Sequence, residues 1–102
     1  MRVISQHGNV DLPYEQIIVC HAMENVTALH NEKEYILGKY SSQEKAYKAM
    51  KMLKEHYGLL SFMKLIAGTT KYEGFIRRFA EDDFIKATAE YFQFPQDDEI
   101  EV

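Results

Sequence analysis

The sequence predicts one α+β domain spanning residues 1–102, in which an antiparallel β-meander of about five to six short strands packs on two to three helices. Three observations favour this class. Short β-favouring runs separated by turn residues fill the region before Ser41, a strongly periodic helical stretch follows, and no linker or repeat divides the chain. Hydrophobic residues make up 46% of the sequence and charged residues 27%, so the chain can bury a core.

The first five strands follow from runs rich in Val, Ile, Thr and Tyr. They are predicted over residues 2–6, 10–15, 17–23, 26–30 and 34–40. Gly8 and Asn9 favour the first turn because both tolerate positive φ. Pro13 lacks an amide donor, so its strand is predicted to be an edge strand or a bulged one. Connections this short allow only antiparallel neighbours.

A helix is predicted over residues 42–57. The phrase Ser41-Ser-Gln-Glu44 fits a capping box, and Gly58 is typical of a helix end. The apolar positions that recur at helical spacing are Ala46, Ala49, Met50, Leu53 and Tyr57. The lysines of this helix occupy every third position and sweep half of its circumference, which indicates a solvated outer face rather than a phosphate track: Lys45, Lys48, Lys51 and Lys54.

The second half of the chain is predicted to add two helices and a strand. Residues 59–67 are apolar enough for a buried helix, residues 68–70 break it, and a third helical stretch covers residues 72–86. Residues 91–94 then form a last strand. The acidic residues 97–102 are expected to be a frayed tail.

No pattern of catalytic or metal-binding residues is present in the sequence. The histidines lack the spacings of metal ligands, and the five glycines are isolated, so no phosphate-binding loop is predicted. Cys20 and His21 are adjacent on a strand and should point to opposite faces, which prevents direct pairing. Cys20, the only cysteine, is expected to be buried in the core. We therefore expect no enzyme activity, no metal and no cofactor.

A candidate ligand site lies in the segment 69–78, which combines hydroxyls, aromatic rings and two of the three arginines of the chain. Arginine binds planar anions through two parallel bonds, and an aromatic ring offers a platform for a base. The alternative is an amphipathic helix whose apolar residues enter the core while its arginines face water. The candidate ligand-binding residues are Thr70, Tyr72, Phe75, Arg77 and Arg78.

The charge and hydropathy of the chain limit its partners. The formal net charge of −4 disfavours general nucleic-acid binding, which needs a basic face. No stretch has the ~20 apolar residues of a membrane span, and the N-terminus is too polar for a signal peptide. We therefore expect a cytoplasmic protein without a membrane partner. A core this small often gains stability from oligomerisation.

Three phrases of the sequence resemble a family of small proteins carried by phages and prophages of Firmicutes. They span residues 1–16, 39–54 and 92–102, and their distinctive parts are the strand-turn-strand opening, the Tyr-Ser-x-x-Glu-Lys-Ala helix start and the Phe-x-Phe-Pro ending. Phage proteins of similar build include sponges that counter the Thoeris defence. The resemblance implies an antiparallel sheet wrapped on two helices and assembly into dimers or higher oligomers.

The same resemblance implies a function in the cytoplasm of an infected bacterial host cell. Sponges of this kind bind cyclic ADP-ribose variants, and some bind cyclic oligonucleotides, without cleaving them. The expected partner is therefore a small-molecule cyclic nucleotide, and no ligand residue is carried over from the family. The alternative is an anti-CRISPR-like protein–protein inhibitor whose acidic residues 97–101 occupy a basic groove on a defence nuclease.

Overall fold

The computed structural model describes residues 1–66 and 89–101 of the chain. This part contains six strands and one long α-helix, together with 3₁₀ turns at Tyr14–Gln16 and Asp97–Glu99. In chain order the elements are β1 (Arg2–Ile4), β2 (Asp11–Pro13), β3 (Ile18–Ala22), β4 (Asn25–His30), β5 (Lys33–Lys39), α1 (Gln43–Ile66) and β6 (Tyr91–Gln93). The predicted α+β class and number of strands are confirmed, whereas the described part of the chain has fewer helices than predicted.

The strands form two three-stranded sheets rather than one meander. One sheet has the order β2-β1-β6 and the other has the order β3-β4-β5. All neighbours are antiparallel except β1 and β6, which pair in parallel with Val3 opposite Phe92. The prediction of a continuous antiparallel meander is therefore wrong, because the 3₁₀ turn after Pro13 redirects the chain and separates β2 from β3.

The hydrophobic core lies between the two sheets and α1. Its largest fully buried side chains are Val3, Val26, Leu37, Leu53 and Phe94. The helix supplies Ala46, Ala49 and Leu53 from one face, as the helical spacing predicts. Elements from both ends and from the middle of the chain thus share a single core.

Helix α1 begins where predicted, but with a different cap. Ser42 is the N-cap residue, and its Oγ accepts a hydrogen bond from the Lys45 amide at 3.2 Å. Ser41 lies outside the helix and donates its own amide to Asp97 Oδ1 at 2.7 Å. The predicted box that paired Ser41 with Glu44 is replaced by this arrangement.

Helix α1 continues through Gly58 to Ile66, so the predicted helices 42–57 and 59–67 are one element up to residue 66. Leu60 and Met63 are buried and extend the apolar stripe beyond the glycine. Burial of these two side chains outweighs the ~1 kcal/mol by which glycine weakens a helix interior. The predicted third helix, residues 72–86, lies outside the described residues.

We expect Gly58→Ala to raise the free energy of unfolding by about 0.5–1 kcal/mol, because alanine is the better helix former. An added Cβ at Gly58 meets no atom within 4 Å. Gly38→Ala is the matched control, and it is expected to lower the free energy of unfolding. A Cβ at Gly38 would lie 2.7 Å from the ring of buried Tyr40, so a loss of about 1–3 kcal/mol is expected from overpacking. Urea denaturation measures both changes, and a destabilised Gly58→Ala protein would contradict the continuous helix.

The acidic tail is docked on the fold up to residue 101, and the prediction that it is frayed is wrong for this part. Ile100 is only 4% exposed and joins the core. Asp97 accepts the Ser41 amide and lies 3.3 Å from the Lys45 ammonium. The hydrogen bond from Ser41, aided by Lys45, lowers the pKa of Asp97. The tail is thus fixed by one apolar anchor and one charged anchor.

Among the described helices, none is both long and apolar enough to cross a membrane.

Candidate functional site

A cleft of about 370 Å³ lies along α1. Its described lining comes entirely from that helix: Glu44, Tyr47, Lys48, Lys51, Met52 and Glu55. These residues recur at intervals of three and four, so they share one face of the helix. That face is opposite the stripe of Ala46, Ala49 and Leu53 that enters the core. Among the described residues, no other element lines this side of the helix.

Tyr47 provides the aromatic surface of the cleft. Its side chain is 58% exposed, and its ring meets the His21 ring of β3 edge to face, with centroids 5.8 Å apart. This contact supports one side of the phenol and leaves the rest accessible. An exposed ring held in this way can stack on a planar group of a ligand.

Two lysines and two glutamates line the cleft together with Tyr47. The Lys48 ammonium donates a hydrogen bond to the backbone oxygen of Glu101, which fixes its position against the tail. Lys51 makes no hydrogen bond or ion pair within residues 1–66 and 89–101. Glu44 and Glu55 balance the two positive charges at the ends of the cleft. The site is therefore mixed in charge, with cations at its centre and carboxylates at its ends.

The lysine spacing in the sequence indicated a solvated face for Lys48 and Lys51, and this pattern did not point to Tyr47. The sequence did contain one signal for this site. Tyr47 precedes Lys48 by one position and Lys51 by four positions on the predicted helix. The residues predicted to bind a ligand all lie outside the described residues, so their role stays a prediction: Thr70, Tyr72, Phe75, Arg77 and Arg78.

Cys20 and His21 extend from opposite faces of β3, as predicted. The Cys20 sulfur lies 3.3 Å from the Thr27 hydroxyl on the outer face of the sheet, whereas the His21 ring contacts Tyr47. The two groups therefore do not form a nucleophile–base pair. Cys20 is exposed, so the prediction that it is buried is wrong. The reason is that β3 is an edge strand whose outer face is not covered by α1.

Within the described ranges, no three His, Cys, Asp or Glu residues are grouped closely enough to hold a metal ion.

The three phrases that carry the family resemblance meet at a partly buried hydrogen-bond network. The Gln6 side chain accepts the Lys39 amide at 2.8 Å and donates to the carbonyls of Lys39 and Pro95 at 3.2 and 3.0 Å. Gln96 donates to the Gln6 carbonyl at 2.8 Å. The Tyr40 hydroxyl also donates to the Pro95 carbonyl, at 2.9 Å, and burial raises the pKa of this phenol. Residues from all three phrases therefore build the joint between the two sheets, and the middle phrase, residues 39–54, also supplies most of the cleft lining.

In comparisons with known proteins, no family model, no curated protein and no solved structure matches this chain.

Proposed function

We propose that this protein binds and sequesters a cyclic nucleotide signal, such as a cyclic ADP-ribose variant or a cyclic oligonucleotide, without cleaving it. The setting of this function is the cytoplasm of an infected bacterial cell, where it would counter a defence system. The observation that carries the proposal is the cleft on α1, in which an exposed tyrosine stands beside two lysines and between two glutamates. Its volume falls within the range of ~300–1,000 Å³ common for small-molecule sites.

The chemical groups of the cleft match the parts of a nucleotide. Tyr47 offers a stacking surface for the base. The ammonium groups of Lys48 and Lys51 suit phosphate oxygens, since charge-assisted hydrogen bonds are roughly twice as strong as neutral ones. Glu44 and Glu55 can accept hydrogen bonds from ribose hydroxyls, the role that acidic residues have in dinucleotide sites. A bare phosphate would use only the lysines, so the mixed set favours a ligand that carries sugar and base.

A sponge must bind tightly enough to lower the concentration of a signal. A nanomolar dissociation constant corresponds to about −12 kcal/mol, which is more than one exposed helix face can supply. A second wall is therefore required to enclose the ligand. Arg77 and Arg78 remain candidates for further phosphate contacts in this proposal.

Binding can be tested by isothermal titration calorimetry with cyclic ADP-ribose and with a panel of cyclic dinucleotides. We expect Tyr47→Ala to weaken binding by about ten- to a hundredfold, because base stacking contributes ~1–3 kcal/mol. Lys51→Gln should weaken binding about tenfold or more through the lost charge-assisted bond. Lys33→Gln is the matched control, since Lys33 is an exposed lysine on β5 away from the cleft.

Two outcomes would contradict the proposal. If no ligand of the panel binds, or if Lys33→Gln weakens binding as much as Lys51→Gln, the cleft is not the site. Recovery of a chemically altered ligand after incubation would show that the protein is an enzyme. Mass spectrometry of the released ligand separates sequestration from turnover.

The alternative function, inhibition of a defence nuclease by the acidic tail, has one observation in its favour. The docked tail presents Asp98, Glu99 and Glu101 as exposed residues on an ordered backbone, which suits a basic groove. The double charge reversal Asp98→Lys with Glu101→Lys tests this function without removing the buried anchor Ile100. Loss of anti-defence activity together with intact cyclic nucleotide binding would favour the inhibitor over the sponge.

A further inference from the structure

The outer edge of β3 is an open side of the second sheet. β3 pairs with β4 along its whole length, from Ile18 opposite Leu29 to Ala22 opposite Asn25. Among the described elements, no strand pairs with its other side. Five residues of extended backbone therefore present an edge to which another strand could add.

The turn after β3 determines which backbone groups face outward. A two-residue connection, Met23-Glu24, joins Ala22 to Asn25, and such a closing pair exchanges both of its hydrogen bonds. Bonding alternates along an antiparallel ladder, so the amides and carbonyls of Ile18, Cys20 and Ala22 face β4. Those of Val19 and His21 consequently face away from the sheet.

The next turn gives the same result independently. Asn31 and Glu32 both have positive φ, 50° and 66°, as in a type I′ turn closed by His30 and Lys33. Counting back from this pair, Ala28 and His30 bond to β5, so Thr27 and Leu29 bond to β3. Thr27 is opposite Cys20, which again leaves Val19 and His21 free to bond outward.

Two other sheet edges are protected by described residues, and neither form of protection occurs at β3 within residues 1–66 and 89–101. Pro13 removes a donor from β2. The edge of β5 is occupied by Gln6, whose amide donates to the Leu37 carbonyl and whose side chain bonds to Lys39. β3 contains no proline, no Lys, Arg, Asp or Glu, and no register shift against β4. It thus lacks the devices that keep edge strands from pairing.

We propose that β3 pairs antiparallel with β3 of a second copy of this chain, with the two-fold axis at Cys20. The Ile17 amide already donates to the Tyr14 carbonyl, so the outward groups fully available are those of Val19 and His21. Placing Val19 opposite His21 of the second copy satisfies all of these groups, since each such pair exchanges two hydrogen bonds. This register places Cys20 opposite its own copy.

The side chains are self-complementary in this register. Ile18, which is 65% exposed, lies opposite the small Ala22 of the second copy, and no like charges face each other. A strand from another protein could satisfy the backbone equally well. Only a second copy of this chain places another Cys20 opposite Cys20. A crosslink between the two cysteines therefore distinguishes a second copy from a different partner.

Oxidative crosslinking tests the proposed axis directly. Opposite residues that are not hydrogen-bonded to each other lie about 4.5 Å apart between Cα atoms, within the range for a disulfide. Mild oxidation of the full-length protein should therefore give a covalent dimer on non-reducing electrophoresis. Cys20 is the only cysteine, so any disulfide-linked dimer joins these two positions.

Moving the cysteine tests the register. In a Cys20→Ala background, the variants Ile18→Cys and Ala22→Cys should each remain monomeric on oxidation. The reason is that position 18 of one copy lies opposite position 22 of the other, so neither variant places two cysteines opposite each other. A mixture of the two variants should form the mixed disulfide dimer. Efficient crosslinking of either variant with itself, or none in the mixture, would overturn the proposed pairing.

Light scattering across a range of concentrations tests the association without a crosslink. The reduced protein should show a monomer–dimer equilibrium. His21→Pro removes an outward amide while keeping the bonds to β4, so it should raise the dimer dissociation constant about thirtyfold through two lost hydrogen bonds. Circular dichroism confirms that the variant is folded. A reduced wild-type protein that is monomeric at every concentration would refute the interface, whether or not a cyclic nucleotide binds.

Discussion

Gln6→Leu should lower the free energy of unfolding by about 3–4 kcal/mol, the largest loss we expect from a single substitution in this protein. Leucine fills the space but leaves the Lys39 amide without its acceptor and the Lys39 carbonyl without its Gln6 donor. The Pro95 carbonyl loses one of its two donors and keeps the Tyr40 hydroxyl. Gln6 is only 7% exposed, so water replaces these bonds poorly, and each orphaned buried group costs ~1–3 kcal/mol. Urea denaturation followed by circular dichroism measures the change.

Gln93→Leu is the matched control for this prediction. Gln93 is an exposed glutamine on β6 whose side chain donates one hydrogen bond, at 3.3 Å, to the Ser5 carbonyl. Its replacement should cost less than about 1 kcal/mol, the typical net contribution of one hydrogen bond. Equal losses from the two substitutions would mean that the Gln6 network is not the joint that holds the sheets together.

Removal of residues 96–102 should destabilise the protein by about 4 kcal/mol or more. Loss of the buried Ile100 side chain alone corresponds to ~2–4 kcal/mol, and the bond from Gln96 to the Gln6 carbonyl adds about one more. This loss is a large part of the ~5–15 kcal/mol that stabilises a typical domain. The midpoint of urea unfolding measures the effect.

Two single substitutions show whether the loss comes from the anchors or from the tail as a whole. Ile100→Ala should account for most of the destabilisation, whereas Asp98→Ala, at an exposed position, should leave stability nearly unchanged. A truncated protein as stable as the full chain would contradict the docked tail. Because truncation affects the fold, a loss of activity in that protein would not by itself identify the tail as an inhibitor.

The elements with strong local signals were predictable from the sequence. Periodic apolar residues and a serine cap located the start of α1, and turn residues separated β3, β4 and β5. Local signals gave wrong predictions where contacts between residues far apart in the sequence determine the structure. Whether the helix ends at Gly58 or continues through it depends on the burial of Leu60 and Met63. The order of the tail depends on contacts such as that between Asp97 and Ser41, which are 56 residues apart.

The candidate site was less predictable than the fold. The sequence showed lysines on one helix but could not show that Tyr47 stands among them on the side away from the core. The exposure of Cys20 was also missed, because the apolar run that contains it fits a buried strand as well as an edge strand. In both cases the missing information was which face the rest of the chain covers.

The parallel pairing of β1 with β6 has a consequence for the order in which the protein folds. β3, β4, β5 and α1 are neighbours in sequence, so their contacts can form while the chain is still being synthesised. β1 leaves the ribosome before these elements, but it gains its parallel neighbour only when Tyr91, the partner of Arg2, has also emerged. Pairings between such distant residues slow folding because a long loop must close first. The opening residues of the chain are therefore among the last to complete their native contacts.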